Sequence, residues 1–288
     1  MLERLLICTD LDRTLIPNGT QLESNGARDH FALLVDRPEV TLAYVSGRHR
    51  ALVEAAIERY RLPQPDFVLG DVGTSIYQLG PGQEWQRWPE WEDEIARDWN
   101  GLTNEDLRKM LLHLPALRLQ EETRQNDFKL SYYLPLQIDR AELSSQIEQC
   151  FESTGARLRL VWSEDEMAGV GLLDVLPVTA SKYHAIETLM RNQGFSDTDT
   201  VFCGDSGNDI EVLASAIPAV LVANSQPDVR ALADRLSREA GHTDRLYLAQ
   251  GNFMGLNGNY SAGILEGIAH YHPDTVAWMM FPVDEESA

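Results

Sequence analysis

Asp10 and Asp12 stand two positions apart in Asp10-Leu11-Asp12-Arg13-Thr14, directly after the apolar run 5–9. Carboxylates leaving an extended strand can both be aimed at one point beyond its tip, one as nucleophile or metal ligand and the other as proton donor. A charged turn would use the same residues. A second set, Gly204-Asp205-Ser206-Gly207-Asn208-Asp209, follows the apolar run 200–203 and precedes a helical pattern. Its glycines permit tight turning, and its acid and amide oxygens are the hard ligands that Mg²⁺ takes in octahedral geometry. Ser46-Gly47-Arg48 ends another apolar run; a hydroxyl and an unhindered backbone N–H can hold a phosphoryl oxygen, although a serine there equally suits a helix N-cap. Lys182, just inside a helix start at 179–181, offers a point charge to a phosphate. Its plainer role is that of a solvated lysine.

These residues need elements that bring them together. Apolar runs 5–9, 40–45 and 67–69 alternate with helical spacing over 30–35 and 51–60, and this order predicts a parallel α/β sheet. The same grammar returns late, with helical patterns at 185–190 and 210–214 and strands at 200–203 and 219–222. Between the two stretches lie a helical pattern at 102–114, strands around 127–134, a helix at 139–151 and strands near 158–162 and 171–176. The expected architecture is a parallel α/β core built from 1–79 and 172–288, with an α+β insert over 80–171 from Pro81-Gly82 onward. In 127–134, alternation puts Phe128, Leu130, Tyr132 and Leu134 on one face and Lys129, Ser131 and Tyr133 on the other.

The chain has 288 residues, 43% of them hydrophobic, enough for a substantial core. Lys plus Arg number 24 against 45 Asp plus Glu, a net charge of −21 that argues against a nonspecific grip on nucleic acid or on an anionic membrane. No window reaches eighteen uninterrupted apolar residues, and the short N-terminal run is too brief for a secretory leader. Cys8, Cys150 and Cys203 form no paired framework. A cytoplasmic, reducing setting is the expectation. Cys8 and Cys203 are expected as buried small residues, Trp85, Trp88, Trp91 and Trp99 as core contacts, and Asp284–Ala288 as an acidic tail. His270 and His272 lack a matching ligand cluster for zinc.

In order, DLDRT, SGR, a lone lysine and GDSGND resemble the four motifs of the haloacid-dehalogenase-like (HAD) phosphatases. More narrowly, LICTDLDRTL, LAYVSGR, PDFVLGDVGTSIY, FKLSYYL, LDVLP, FCGDSGND and SAGILEGIAHY resemble the sucrose-phosphate phosphatase family, up to about residue 273. One departure is Ser46, where many relatives carry Thr; either hydroxyl can donate to phosphate.

The resemblance implies a fold, an α/β Rossmann-like parallel-sheet HAD core over 1–79 and 172–288 with the 80–171 insert as an α+β cap, and also a reaction and roles. Asp10 would attack phosphorus to give an aspartyl-phosphate, and Asp12 would protonate the leaving sugar oxygen and later take a proton from water. Mg²⁺ would be held by Asp10, the Asp12 carbonyl and Asp205, with Asp209 ligating or orienting. Ser46, Gly47, Lys182 and Asn208 would bind the other phosphoryl oxygens. The cap would read the sugar through Lys129, Ser131 and Tyr133, with Asp174 near the return to the core and Thr74 at another strand tip. The implied substrate is sucrose 6-phosphate; the alternatives are mannosylfructose phosphate, glucosylglycerol phosphate, a phosphomutase reaction, or a noncatalytic phosphosugar-binding partner of a synthase. A sugar-phosphate synthase is the one protein partner considered.

Overall fold

The computed structural model describes residues 2–80, 82, 84–165 and 168–280. Pro81, expected at the start of the insert, and the tail expected at Asp284–Ala288 lie outside the described residues. The chain runs through β1 (Leu5–Thr9), α1 (Ala27–Val35), β2 (Val40–Val45), α2 (Arg50–Tyr60), β3 (Phe67–Gly70), β4 (Ser75–Leu79) and β5 (Trp85–Arg87). It continues with α3 (Pro89–Ala96), α4 (Asn104–Leu111), β6 (Arg118–Leu119), β7 (Leu130–Leu134), α5 (Arg140–Phe151), β8 (Leu158–Asp165) and β9 (Val170–Pro177). The last stretch is α6 (Lys182–Gln193), β10 (Thr200–Gly204), α7 (Ile210–Leu213), β11 (Ala219–Leu221), α8 (Pro227–Glu239), β12 (Leu246–Leu248) and α9 (Ser261–Tyr271).

Two sheets result. The larger has the order β12-β11-β10-β1-β2-β3-β4-β5, parallel except for the hairpin edge β4–β5, and the smaller has the order β6-β7-β9-β8, all antiparallel. β1 is buried throughout because helices cover both faces of its sheet. Leu5 and Ile7 pack with Phe31, Val53 and Ile264 of α1, α2 and α9, while Leu6 and Cys8 pack with Ile186, Leu189 and Val212 of α6 and α7. The crossovers from β1 to β2 and from β10 to β11 therefore lie on opposite faces, which opens a crevice between the carboxyl ends of β1 and β10. Asp10 and Asp205 stand directly at that crevice.

The smaller sheet has its own core, in which Leu130, Tyr132 and Leu134 of β7 pack with Trp99, Leu107, Leu143 and Ile147. Its ends differ from the expected 80–171. β5 hydrogen-bonds to β4 and so extends the larger sheet, with Tyr77 against Trp85 edge to face. At the far end β9 stays paired in the smaller sheet to Pro177. Buried Asp98 then accepts from the Thr179 N–H at 2.8 Å and from its hydroxyl, fixing the return to the core. Helix α6 starts later than the expected 179–181, because Ser181 caps it by accepting from the His184 N–H at 3.2 Å. Trp91 and Trp99 are fully buried, as expected of core aromatics.

Helix α9 lies close against β11 through glycine. A Cβ at Gly263 would sit 2.2 Å from the Gly258 carbonyl oxygen and 3.0 Å from Val222 Cγ1. Backbone cannot retreat cheaply, so Gly263→Ala is expected to lower stability by about 1–3 kcal/mol, read as a fall in the denaturation midpoint with an unchanged m-value.

Candidate active site

The chain reverses sharply as it leaves β1. The Leu11 carbonyl accepts from the N–H groups of Leu15 at 3.1 Å and Ile16 at 2.7 Å, and Arg13 takes φ 60°. That left-handed residue is held by its neighbours: its N–H donates to Asn18 Oδ1 and its carbonyl accepts from Asn224 Nδ2. The turn sends the two carboxylates in different directions. Asp10 stays buried at 5% exposure over the sheet, whereas Asp12 leans outward and receives Arg48 Nη2 and Nε at 2.6 and 2.7 Å and Asn18 Nδ2 at 2.6 Å. Burial alone would raise the Asp12 carboxyl, but the Arg48 fork outweighs it and leaves the group below its ordinary value.

Strand β10 pairs with β1 so that the Asp10 N–H donates to the Cys203 carbonyl at 2.9 Å. This puts Asp205 and Asp209 beside Asp10, and carboxylate oxygens of the three lie within 4.8 Å of one another. Asp209 Oδ2 accepts from the N–H groups of Asp205 and Ser206, each at 3.1 Å. A Cβ at position 204 would come within 2.6 Å of that oxygen, so glycine is needed there. Lys182 enters from α6 with its Nζ 2.7 Å from Asp209, 3.2 Å from Asp10 and 3.2 Å from Asn208 Oδ1. Asp205 has weaker help, from the Thr14 hydroxyl at 3.2 Å and the Arg13 guanidinium at 3.6 Å.

Three buried carboxylates thus crowd around one buried ammonium, which contacts two of them. Burial, with the neighbouring acids, pushes Asp10 well up despite Lys182. Burial and Asp209 push Asp205 to about 7. Burial opposes the Lys182 charge, yet Asp10 and Asp209 more than offset it and raise its pKa. A site so short of positive charge, lined by hard oxygens, fits a divalent cation. Asp10 and Asp205 could hold one; Asp209, filled by two backbone donors and the lysine, is placed to orient the loop.

Ser46 is buried at the tip of β2, where its Oγ accepts from the Arg48 N–H at 3.2 Å, and Gly47 beside it is exposed. From the smaller sheet, Lys129 reaches down to Asp71 at 2.8 Å, both buried, and Asn126 Nδ2 donates to Thr74 Oγ1 at 2.9 Å. Asp71 and Val72 hold left-handed backbone in this turn, with φ of 53° and 62°, a strained state for a β-branched residue. Ser131 donates to Asp174 at 2.5 Å, and burial raises the Asp174 carboxyl against the pull of Lys129. Lys129 and Ser131 thus share a buried polar face, Lys129 against Asp71 of the core and Ser131 among Arg124, Gln125 and Asp174. Tyr133 does not join them: its hydroxyl donates to Glu121 at the surface, and Arg118 lies over its ring. Asp12 likewise stays out of the carboxylate cluster through its side chain. Arg48, Asp71, Asn126 and Thr14 are not singled out by sequence reasoning, although three of them sit inside or next to its motifs; only their pairing across the fold gives them a role.

A cavity of about 270 Å³ lies beside Lys182 and Asn208, bounded by Val72, Val161 and Trp162. A parallel sheet carrying these acids and this lysine at one crevice, with a second sheet packed over it, defines a phosphoric monoester hydrolase of the HAD type. The chain belongs to the sucrose-6F-phosphate phosphohydrolase family, whose model matches residues 3–272. It is 52% identical over 280 residues (97% of this chain, 75% of the other) to a protein of Nitrosococcus oceani whose name goes no further than HAD-like hydrolase. It is 28% identical to the mannosylfructose-phosphate phosphatase of Agrobacterium fabrum, covering 92% of this chain and 96% of that one. The solved structure of the Synechocystis sucrose-phosphatase, in complex with sucrose and phosphate, is similar with a TM-score of 0.71 at 26% identity, over 93% of this chain and 98% of that one. The chain spans about half the length of several plant sucrose-phosphatases that it matches.

The raised Asp205 carboxyl has a sign that can be tested. A carboxyl whose folded pKa exceeds its unfolded value costs nothing below about pH 4 and costs progressively more as pH rises toward 7. Chelator-treated Asp205→Asn is therefore expected to be more stable than the parent by about 2–4 kcal/mol at pH 8, with the difference vanishing near pH 4. Denaturation at a series of pH values checks it, and added Mg²⁺ is expected to stabilise the parent more than the variant.

Proposed function

We propose that this chain is a Mg²⁺-dependent phosphatase that hydrolyses sucrose 6-phosphate to sucrose and inorganic phosphate. The observation that carries the reading is the buried Asp10–Lys182–Asp205 cluster, together with the polar Lys129–Ser131–Asp174 face of the smaller sheet, whose Lys129 reaches the core at Asp71. An ester phosphate needs the first as its reaction centre, and a polyhydroxyl leaving group suits the second. We place the cap boundaries close to residues 88 and 178, where the strands change sheets, and the reaction in a reducing cytoplasm, in keeping with three free cysteines.

In this mechanism an Asp10 carboxylate oxygen attacks phosphorus, and the bond from phosphorus to the sugar oxygen breaks. Asp12 gives its proton to that oxygen. Water then attacks the aspartyl-phosphate, Asp12 takes its proton, and phosphate leaves with Asp10 restored. Lys182, Ser46, the Gly47 N–H and Asn208 hold the nonbridging oxygens. Asp10, Asp205 and the Asp12 carbonyl would hold Mg²⁺, whose charge, when bound, would let a carboxylate approach a phosphate dianion. Arg48 acts on Asp12 in opposite senses at the two steps. Its grip favours the carboxylate required for the water step, and it has to slacken for the protonated form that the first step uses.

Phosphate release from sucrose 6-phosphate is the deciding assay. Asp10→Asn is expected to abolish turnover, and Asp12→Asn to lower kcat about 10²–10⁴-fold, both without loss of fold by circular dichroism. The similarity to a mannosylfructose-phosphate phosphatase over nearly its whole length favours one second reading, in which the same chemistry serves mannosylfructose phosphate. A panel that includes this ester, glucosylglycerol phosphate and hexose phosphates separates the two by kcat/KM. A preference for hexose phosphates over both disaccharide esters would overturn the substrate assignment.

A further inference from the structure

Asp10, Lys182 and Asp209 are 5%, 3% and 0% exposed, so a phosphoester meets them only in space that the two sheets enclose together. One two-pronged ion pair crosses the cavity beside them. Arg159 of β8 presents Nη1 and Nη2 to the Glu211 carboxylate at 2.8 and 3.3 Å, and its Nε donates to the Val178 carbonyl at 3.1 Å. Both residues line the cavity that holds Lys182 and Asn208. Along β8, Arg159 and Val161 share the face opposite Leu160, and Val161 packs into the core's own cluster, so this face is turned to the core. Glu211 follows Asp209 by two residues, at the start of α7. The pair therefore fastens the cap to the turn that carries Asp205, Asn208 and Asp209, while two further polar crossings, Lys129–Asp71 and Asn126–Thr74, reach the separate turn after β3.

We propose that Arg159 and Glu211 are positioning residues that hold the cap over Lys182 and Asn208, and that this closure forms part of binding the sugar phosphate. The proposal rests on the phosphatase reading given above. A ligand that binds the closed arrangement has its apparent affinity reduced by the fraction of molecules that are open. Loss of the pair is thus seen in KM, since chemistry within the closed complex is untouched. A partly exposed pair contributes modestly by itself, but reversing one charge replaces attraction with repulsion.

The test uses the Mg²⁺-loaded full chain with sucrose 6-phosphate. Arg159→Glu and Glu211→Arg are each expected to raise KM about tenfold with kcat within about threefold, and the double exchange to bring KM back to within about threefold of the parent. Arg159→Lys, which keeps the charge but not the fork, falls between. Should a reversal fail to fold, Arg159→Gln and Glu211→Gln shift KM in the same direction by about threefold. Amide exchange over 158–165, measured without substrate, is expected to quicken in the single variants and to recover in the double one. This second reading needs no turnover, so it stands even if sucrose 6-phosphate is not the substrate. An unchanged or lowered KM, a loss confined to kcat, a double exchange no better than the single ones, or unaltered amide exchange would each overturn the assignment.

Discussion

Negative charge packed into a place without water governs this molecule. Three carboxylates meet at the carboxyl ends of two neighbouring strands, and a single ammonium serves two of them. Such an arrangement costs folding energy unless something positive arrives. Its surroundings answer that cost: Asp209 is filled with backbone donors, Thr14 and Arg13 lean on Asp205, and Gly204 makes room for the Asp209 oxygen. The fold keeps the crowd together because β1 and β10 are hydrogen-bonded in register, leaving the acids no freedom to part.

The two acids of the first motif illustrate how geometry separates roles that chemistry makes equal. Asp10 and Asp12 are the same residue type two positions apart, yet one faces a lysine in the interior and the other an arginine near solvent. The tight turn at Arg13 is the cause. It rotates the second carboxylate out of the cluster and delivers it to Arg48, from the loop after β2. One short segment thus supplies a buried, oriented carboxylate and a second one that water can reach.

Much of this is legible in the sequence because the signals are local. Continuous apolar runs ending in acids locate β1 and β10, and alternation around Lys129 and Ser131 gives the correct face of β7. What escapes has no local mark. Whether Asp12 turns inward or outward depends on a left-handed residue that no composition rule foretells, and the ion pair of Lys129 with Asp71 joins residues 58 positions apart. The insert edges move for a similar reason: β5 reads as a short Trp-containing segment, and only its pairing with β4 assigns it to the larger sheet. Asp174 stands out as a candidate from its own segment, but its partner Ser131 lies 43 positions away.

The central place of β1 carries a consequence for biosynthesis. Its two neighbours are β2, which follows within about forty residues, and β10, which is made some 190 residues later. While the ribosome is still elongating, one side of this apolar strand has no partner, and an unpaired edge of that kind invites pairing with other nascent chains. The intervening segment, with a hydrophobic interior of its own, can condense meanwhile. Catalytic competence therefore arrives late and all at once, when the last third of the polypeptide closes the gap, and a prematurely terminated product would carry the motif of Asp10 and Asp12 with nothing opposite it.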